Sequence, residues 1–233
     1  MQTAQFSEQE VIRRQKLKDL QQLGIDPYPA PLFPVNTSSF YIKENYKGEE
    51  NKTDFANVCL AGRIMSIRDM GKASFALLQD GYGKIQLYIR RDDICAGEDK
   101  TFYDKVWKHL IDIGDIIGVK GFVFTTKTGE TSVHVTELSI LTKSLKPLPI
   151  VKEKEGETFD AVTDPEFKYR QRYADLLINP QVKETFVKRT KLINAIRNFL
   201  NEQGALEVDT PVLQSIPGGA AARPFVTHHN ALD

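Results

Sequence analysis

The chain has 233 residues, which is enough for one large domain or two small ones with a hydrophobic core. Its 31 lysines and arginines balance 31 aspartates and glutamates, which excludes a strongly basic nucleic-acid coat but not a local basic face. No apolar run approaches the ~18 residues that span a bilayer, and the N-terminus has no apolar signal core, so we expect a cytoplasmic protein without a membrane anchor. Cys59 and Cys95 have no ligand-like spacing and are predicted to be unpaired thiols.

The N-terminal part is predicted to be a helix followed by a proline-rich arm. The helix should cover 7–23, because Ser7 and Glu10 form an S-x-x-E capping box. Its basic side consists of Arg13, Arg14, Lys16 and Lys18. These cations are either a solvated surface or a contact to RNA phosphates, and the pattern alone leaves both open. Residues 26–39 hold four prolines, which predicts an extended connector, whereas 40–55 fit either a short helix or a loop.

Six elements in the middle of the chain are predicted to form a small barrel. Alternating apolar residues predict the strands, and turn residues separate them. The turn at 80–83 is expected to use positive φ angles at Gly81 and Gly83. In order, the elements are strands near 58–64, 73–79 and 85–90, a helix near 100–111, and strands 114–124 and 131–141. This β-β-β-α-β-β order is that of the OB-fold, whose barrels bind oligonucleotides or sugars.

One face of this barrel carries residues suited to an unstacked base. The register implied by the turn places Phe75 opposite residue 88, with Gln86 as a diagonal neighbour. An exposed Phe75 would be a stacking plate, and the amide of Gln86 complements O4 and N3–H of uracil. Arg68 could stack or hold a phosphate. The alternative, that Phe75 is buried and Gln86 is an ordinary surface residue, stays open on pattern alone.

The remaining residues are predicted to be a linker followed by helices. Asp-Pro at 164–165 and Asn-Pro at 179–180 each supply an N-cap with proline at the first helical position. The second helix should end at Gly204 and carries an apolar stripe that has to be buried against another surface. The stripe consists of Val182, Phe186, Ile193, Ile196 and Leu200, with Arg189 among them. A short strand is predicted over 206–208, ended by Pro211.

The sequence shows no complete catalytic constellation. G-x-S-x-G, P-loop, HExxH and paired CxxC motifs are absent. His228 and His229 are adjacent but lack nearby carboxylates, so we predict no metal site there. Gly218 and Gly219 either let the backbone approach a small ligand or belong to a flexible loop.

Several stretches resemble one family. RDMGKASFALLQD at 68–80, GKIQLY at 83–88 and KTGE at 127–130 resemble the anticodon-binding domain of the class IIb aminoacyl-tRNA synthetases, and in particular their lysyl members. FLNEQGALEVDTPVLQ at 199–214 resembles class II motif 1, and IPGGAAARPFVTHHNALD at 216–233 resembles the lysyl enzymes almost letter for letter.

The resemblance implies roles for individual residues. By match, Phe75 stacks on the central anticodon uridine, which Gln86 and Arg68 hydrogen-bond, and Glu130 contacts a neighbouring anticodon base. Gly218 matches a backbone position that contacts the amino group of the lysine substrate. Motif 1 builds a homodimer interface. Its matching residues are Phe186, Ile193, Ile196, Leu200, Gly204 and Pro211.

The resemblance also implies an activity and an organisation. The whole enzymes activate lysine with ATP and Mg2+ and transfer it to tRNA(Lys). Motifs 2 and 3 would lie beyond residue 233, so we expect an enzyme truncated after motif 1 that binds the anticodon without catalysis. The predicted parts are an arm (1–56), an OB-fold (57–145), a linker (146–163) and an incomplete α+β class II catalytic domain (164–233). The alternatives are a stand-alone OB-fold RNA-binding or regulatory module, and a fragment of an aspartyl or asparaginyl enzyme, against which GGAAARPF argues.

Overall fold

The computed structural model describes residues 6–149, 152–154, 157–159, 164–211, 227–228 and 230–231. The chain separates into two compact units, Met1–Ala161 and Val162–Asp233.

Five strands of the first unit close into a barrel. They are β1 (Val58–Asp69), β2 (Ala73–Gln79), β3 (Lys84–Arg90), β4 (Ile116–Thr125) and β5 (Thr131–Thr142). Their order around the barrel is β1-β2-β3-β5-β4; antiparallel pairing of β1 with β4 closes it, and β3 pairs with β5 in parallel. The predicted OB-fold is therefore confirmed.

Strand alternation determines which side chains fill the barrel. Along β3, Ile85, Leu87 and Ile89 are fully buried, while the residues between them face outward and keep exposed surface. The wall is tight where β4 shifts register against β5 next to Gly121. A Cβ there would overlap the carbonyl oxygen of His134, so only glycine fits this position.

The described part of the first unit also contains four helices. They are α1 (Glu8–Gln22), α2 (Ser39–Asn45), α3 (Arg91–Ile94) and α4 (Phe102–Leu110), the last wound as a π-helix. The predicted capping box of α1 is present, since Ser7 and Glu10 exchange backbone-to-side-chain hydrogen bonds. The undecided stretch at 40–55 contains α2 and a 3-10 turn at Gly48–Glu50. The helix predicted near 100–111 is α4, which packs on the barrel and buries Tyr103, Val106 and Trp107.

The turn between β2 and β3 is held by a carboxylate. Neither Gly81 nor Gly83 has a positive φ angle, so the predicted use of these glycines is wrong. Instead, Asp80 Oδ1 accepts hydrogen bonds from the backbone N–H groups of Tyr82 and Gly83, both at 2.8 Å. Asp80 also accepts from the backbone N–H and the hydroxyl of Ser39, which attaches the start of α2 to this turn.

A buried ion cluster joins α1 to the barrel. Lys143 Nζ donates to Asp112 Oδ2 at 2.6 Å and to Asp115 Oδ2 at 2.7 Å, and the side chains of Lys143 and Asp115 are 0% exposed. Lys16 of α1 donates to the other oxygen of Asp112 at 2.5 Å. Burial alone would raise the pKa of Asp112, but the hydrogen bonds from both lysines outweigh burial and hold this pKa below its ordinary value.

Two short strands lie within the predicted linker at 146–163. They are β6 (Lys152–Lys154) and β7 (Glu157–Phe159), which pair antiparallel. This part of the chain therefore contains an antiparallel strand pair where the sequence predicted only a linker.

Three helices form the described part of the second unit: α5 (Pro165–Arg170), α6 (Arg172–Ile178) and α7 (Pro180–Glu202). Asp164 caps α5 as predicted, accepting hydrogen bonds from two backbone N–H groups. Asn179 is the N-cap residue of α7 and Pro180 is its first helical residue, as predicted, but the Asn179 side chain makes no capping hydrogen bond. It instead donates to Asp175 Oδ1 at 2.8 Å, because α6, which the sequence did not predict, places a carboxylate within reach.

The chain after α7 differs from its prediction. Gly204 has φ +82° and follows the helix end, as predicted. The strand expected at 206–208 is not formed, and Leu206 is 87% exposed. A strand needs a neighbour to accept its backbone hydrogen bonds, and no strand of the part of the chain that the structure describes pairs with this segment.

Candidate nucleic-acid interface

Phe75 lies on the outer face of the barrel. It is half-buried, and its Cα partners are Tyr88 on β3, as the turn predicted, and Arg68 on β1. Its ring centroid is 5.2 Å from that of Tyr88, with the ring planes inclined by 46°. The guanidinium carbon of Arg68 lies 5.3 Å from the same centroid, within cation–π range. Phe75 is thus a ring held between two planar groups with one part left open to solvent.

The amide of Gln86 has a fixed orientation. Its Nε2 donates to Ser132 Oγ at 2.9 Å, and the Ser132 hydroxyl donates its only hydrogen to the carbonyl oxygen of Glu130 at 3.2 Å. Ser132 can therefore only accept from Gln86, which makes the flipped amide unfavourable. Gln86 Oε1 accepts no hydrogen bond from the residues that the structure describes, and this oxygen is left for a ligand donor.

Glu130 is brought close to Gln86 by the same network. It ends the turn between β4 and β5, where its backbone N–H donates to Thr126 Oγ1 at 3.0 Å. Its exposed carboxylate is 3.4 Å from Lys43 Nζ on α2. The structure thus brings Arg68 and Phe75 together on one part of the face, and Gln86 and Glu130 together on an adjoining part.

Further aromatic residues on this face were missed from the sequence. Tyr88 contacts His134 at 5.1 Å between ring centroids, and His134 stacks on Phe122 at 4.6 Å; Phe124 lies 6.0 Å from Tyr88. His134 Nε2 is 2.6 Å from Asp93 Oδ2. The alternation of Phe122 and Phe124 along β4 was a usable signal, but no local pattern reveals that β5, which carries His134, lies beside β3.

The four cations of α1 have different surroundings. Arg13 is 7% exposed and donates to the carbonyl oxygens of Ile113 and Ser144, and Lys16 belongs to the buried ion cluster. These two attach α1 to the barrel and are not free to meet phosphate. The Arg14 guanidinium lies 3.9 Å from the ring centroid of Phe6, and Lys18 is exposed.

The residues that match motif 1 lie on and just after α7. No residue of this helix is buried against the described chain. Phe186, Ile196 and Leu200 are exposed, Ile193 is half-buried, and the Arg172 guanidinium lies 5.3 Å from the Phe186 ring. The apolar stripe is therefore uncovered in the described part of the unit. Pro211 is the last residue described in this segment, and Gly218 and His229 lie outside the described residues.

Within the described ranges, no helix is long and apolar enough to cross a membrane. In the same part of the chain, no three histidine, cysteine, aspartate or glutamate side chains come together as a metal-binding group. Cys59 is half-buried and Cys95 is buried, and both are free thiols.

Comparison with known families agrees with this architecture. Residues 58–141, which hold almost all of the barrel, match the family described as OB-fold nucleic acid binding domain. Residues 164–233 match the class II tRNA synthetases for D, K and N. The chain belongs to the class II aminoacyl-tRNA synthetases, and its barrel is their anticodon-binding domain.

Individual relatives show which members of this class the chain is similar to. Over 233 residues, all of this chain, it is 61% identical to a lysine–tRNA ligase of Porphyromonas gingivalis, of which it covers 40%. It is 60% identical to that of Christiangramia forsetii over 98% of this chain and 39% of the relative. It is 57% identical to that of Azobacteroides pseudotrichonymphae over 98% of this chain and 45% of the relative. The chain thus matches the N-terminal part of lysine–tRNA ligases and spans about 40% of their length.

Proposed function

We propose that the outer face of the barrel binds the anticodon loop of tRNA(Lys), with the central uridine stacked on Phe75. The observation that carries this proposal is the partly open ring of Phe75 between Arg68 and Tyr88. A base on such a ring contributes about 1–3 kcal/mol of binding free energy. The names of the similar proteins supply the identity of the tRNA.

Gln86 would give this site its preference for uridine. Because Ser132 holds Gln86 Nε2, the side chain presents Oε1 as a hydrogen-bond acceptor. Uracil offers N3–H as a donor, whereas cytosine has an acceptor at that position. Glu130 would contact a neighbouring anticodon base, and Arg14 and Lys18 remain as phosphate contacts.

The protein to which this chain corresponds would be a lysine–tRNA ligase. It would activate lysine with ATP, with Mg2+ as the metal ion, and transfer lysine to the 3′ end of tRNA(Lys). Within this activity, we assign anticodon binding to the described residues. The backbone at Gly218 would contact the amino group of lysine.

Helix α7 would form a homodimer interface. Its exposed Phe186, Ile196 and Leu200 form an apolar surface of the kind that marks a protein contact. Ile196→Glu should shift the protein to the monomer in sedimentation experiments. Asn194→Glu, on the opposite side of the helix, should not. If Ile196→Glu and Asn194→Glu have the same oligomeric state in sedimentation, α7 is excluded as the interface.

The anticodon proposal is tested with an RNA hairpin whose loop carries a uridine triplet. Phe75→Ala should weaken binding by about 1–3 kcal/mol, the stacking contribution of one base. Tyr82→Ala is the matched control, because Tyr82 is an exposed aromatic residue of the same barrel, in the β2–β3 turn seven residues along the chain from Phe75. If Phe75→Ala binds the hairpin as tightly as Tyr82→Ala does, the proposal is wrong.

A further inference from the structure

The outer face of β4 and β5 changes character along its length. Lys120 and Glu137 are direct partners and form an exposed ion pair at 2.6 Å, as expected of a solvent-facing sheet surface. The pair Phe122 and His134, further along, is aromatic, with the rings stacked at 4.6 Å and inclined by 23°. Phe122 is 39% exposed. Surface of this composition, bordered by polar residues, is typical of an interaction site.

This aromatic pair continues the row that begins at Phe75. Successive ring centroids are separated by 5.2 Å from Phe75 to Tyr88, 5.1 Å from Tyr88 to His134 and 4.6 Å from His134 to Phe122. The row thus crosses four neighbouring strands without a gap. The contact between His134 and Asp93 at 2.6 Å fixes the ring in the middle of the row.

The row ends in a groove of about 480 Å3, the β4 groove, between β4 and the segment at 46–56. Phe122 and Phe124 form one side, and Tyr46 lies on the other. The segment is fixed in place because the Val123 N–H donates to the carbonyl oxygen of Phe55 at 3.0 Å, and the Tyr46 ring packs on that of Phe55 at 5.5 Å. The groove therefore does not depend on a loose loop.

We propose that the β4 groove binds a nucleobase flanking the uridine triplet, an inference that rests on the anticodon function proposed above. OB-folds cover roughly 4–16 nucleotides of a single strand, more than Phe75 and Gln86 alone can contact. The aromatic row connects the two places, and aromatic rings accept any base.

The charges of the β4 groove favour a base over a phosphate. Its one lysine, Lys52, is paired with Glu49 at 2.6 Å. Because this pair leaves no net positive charge, the aromatic rings are the main attraction for a ligand. A cavity of this size also suits a small ring system.

The test uses hairpins in which single nucleotides of the loop are made abasic. For the natural chain, one abasic position outside the triplet should weaken binding by about 5- to 150-fold, the contribution of one stacked base. Phe122→Ala should bind the intact hairpin with the same loss, and it should bind that abasic hairpin no more weakly than the intact one. For Tyr82→Ala, the abasic site should weaken hairpin binding as much as it does for the natural chain.

The outcomes separate this inference from the function on which it rests. If only abasic positions within the triplet matter to the natural chain, the β4 groove binds no base while anticodon binding stands. If abasic positions within the triplet have no effect either, the anticodon proposal fails. If Phe122→Ala remains as sensitive to the flanking abasic site as the natural chain, Phe122 does not hold that base and the inference is overturned.

Discussion

Arg68 and Phe75 face each other across the first two strands of the barrel, as direct Cα partners with the guanidinium carbon 5.3 Å from the ring centroid. A guanidinium is planar and can stack on the ring or on the base, whereas an ammonium is a compact point charge. Arg68→Lys should therefore weaken binding of the uridine hairpin although the charge is kept. The salt dependence of hairpin binding should be the same for Arg68→Lys as for the natural chain, because the substitution does not change the number of cations near phosphate. Binding titrations at several salt concentrations measure both quantities, and an unchanged affinity would mean that only the charge matters.

Ser132 should determine base preference without contacting the RNA. Its hydroxyl fixes the amide of Gln86, so Ser132→Ala would free the amide to flip and to offer its donor to cytosine. We expect the variant to bind a uridine hairpin nearly as well as the natural chain, but to discriminate less against a cytidine at the central position. Competition between the two hairpins measures this. Full discrimination in the variant would show that the Ser132 contact does not orient the amide.

Lys143 should be important for stability. Lys143→Met leaves the buried carboxylate of Asp115 without its cation, and breaking a buried pair in this way costs about 3–5 kcal/mol of unfolding free energy. Lys120→Met is the matched control, because its pair with Glu137 is exposed and should contribute little. Urea unfolding monitored by the fluorescence of Trp107 compares them. A loss for Lys143→Met no larger than that of the control would contradict the role of the cluster.

Asp80 should make stability depend on pH at the acid end. Burial alone would raise its pKa, but hydrogen bonds from Ser39, Tyr82 and Gly83 outweigh burial and lower the pKa below the ordinary 3.8. A carboxylate with a lowered folded-state pKa stabilises the fold above its unfolded pKa, and this contribution is lost as pH falls through the folded pKa. The natural chain should therefore lose stability below about pH 4 more steeply than Asp80→Asn. Parallel acid-unfolding curves would contradict this.

Local pattern was sufficient for elements that depend on neighbours in sequence. The bounds of β2 and the pairing of Phe75 with Tyr88 followed from alternation and turn length, and the capping box located the start of α1. Alternation and turn length also identified three residues of the candidate face on the first three strands. They are Arg68, Phe75 and Gln86.

Features that depend on distant contacts could not be predicted in this way. The parallel pairing of β3 with β5 places His134 beside Tyr88, and no local period encodes it. The helical period showed that Arg13 lies on a polar side of α1, but not that two carbonyl oxygens would bury it there. At the β2–β3 turn, the aspartate rather than the glycines determined the conformation, because a carboxylate can bind two backbone N–H groups at once.

The central claim is that Gln86 reads a uridine that is stacked on Phe75, and one binding experiment tests it most directly. Affinities are measured for hairpins with uridine or cytidine at the centre of the triplet, using the natural chain and Gln86→Ala. The natural chain should prefer uridine by about 1–3 kcal/mol, the value of one well-placed base contact. Gln86→Ala should bind both hairpins equally. A natural chain that binds uridine and cytidine alike, or a Gln86→Ala variant that still prefers uridine, would contradict the claim.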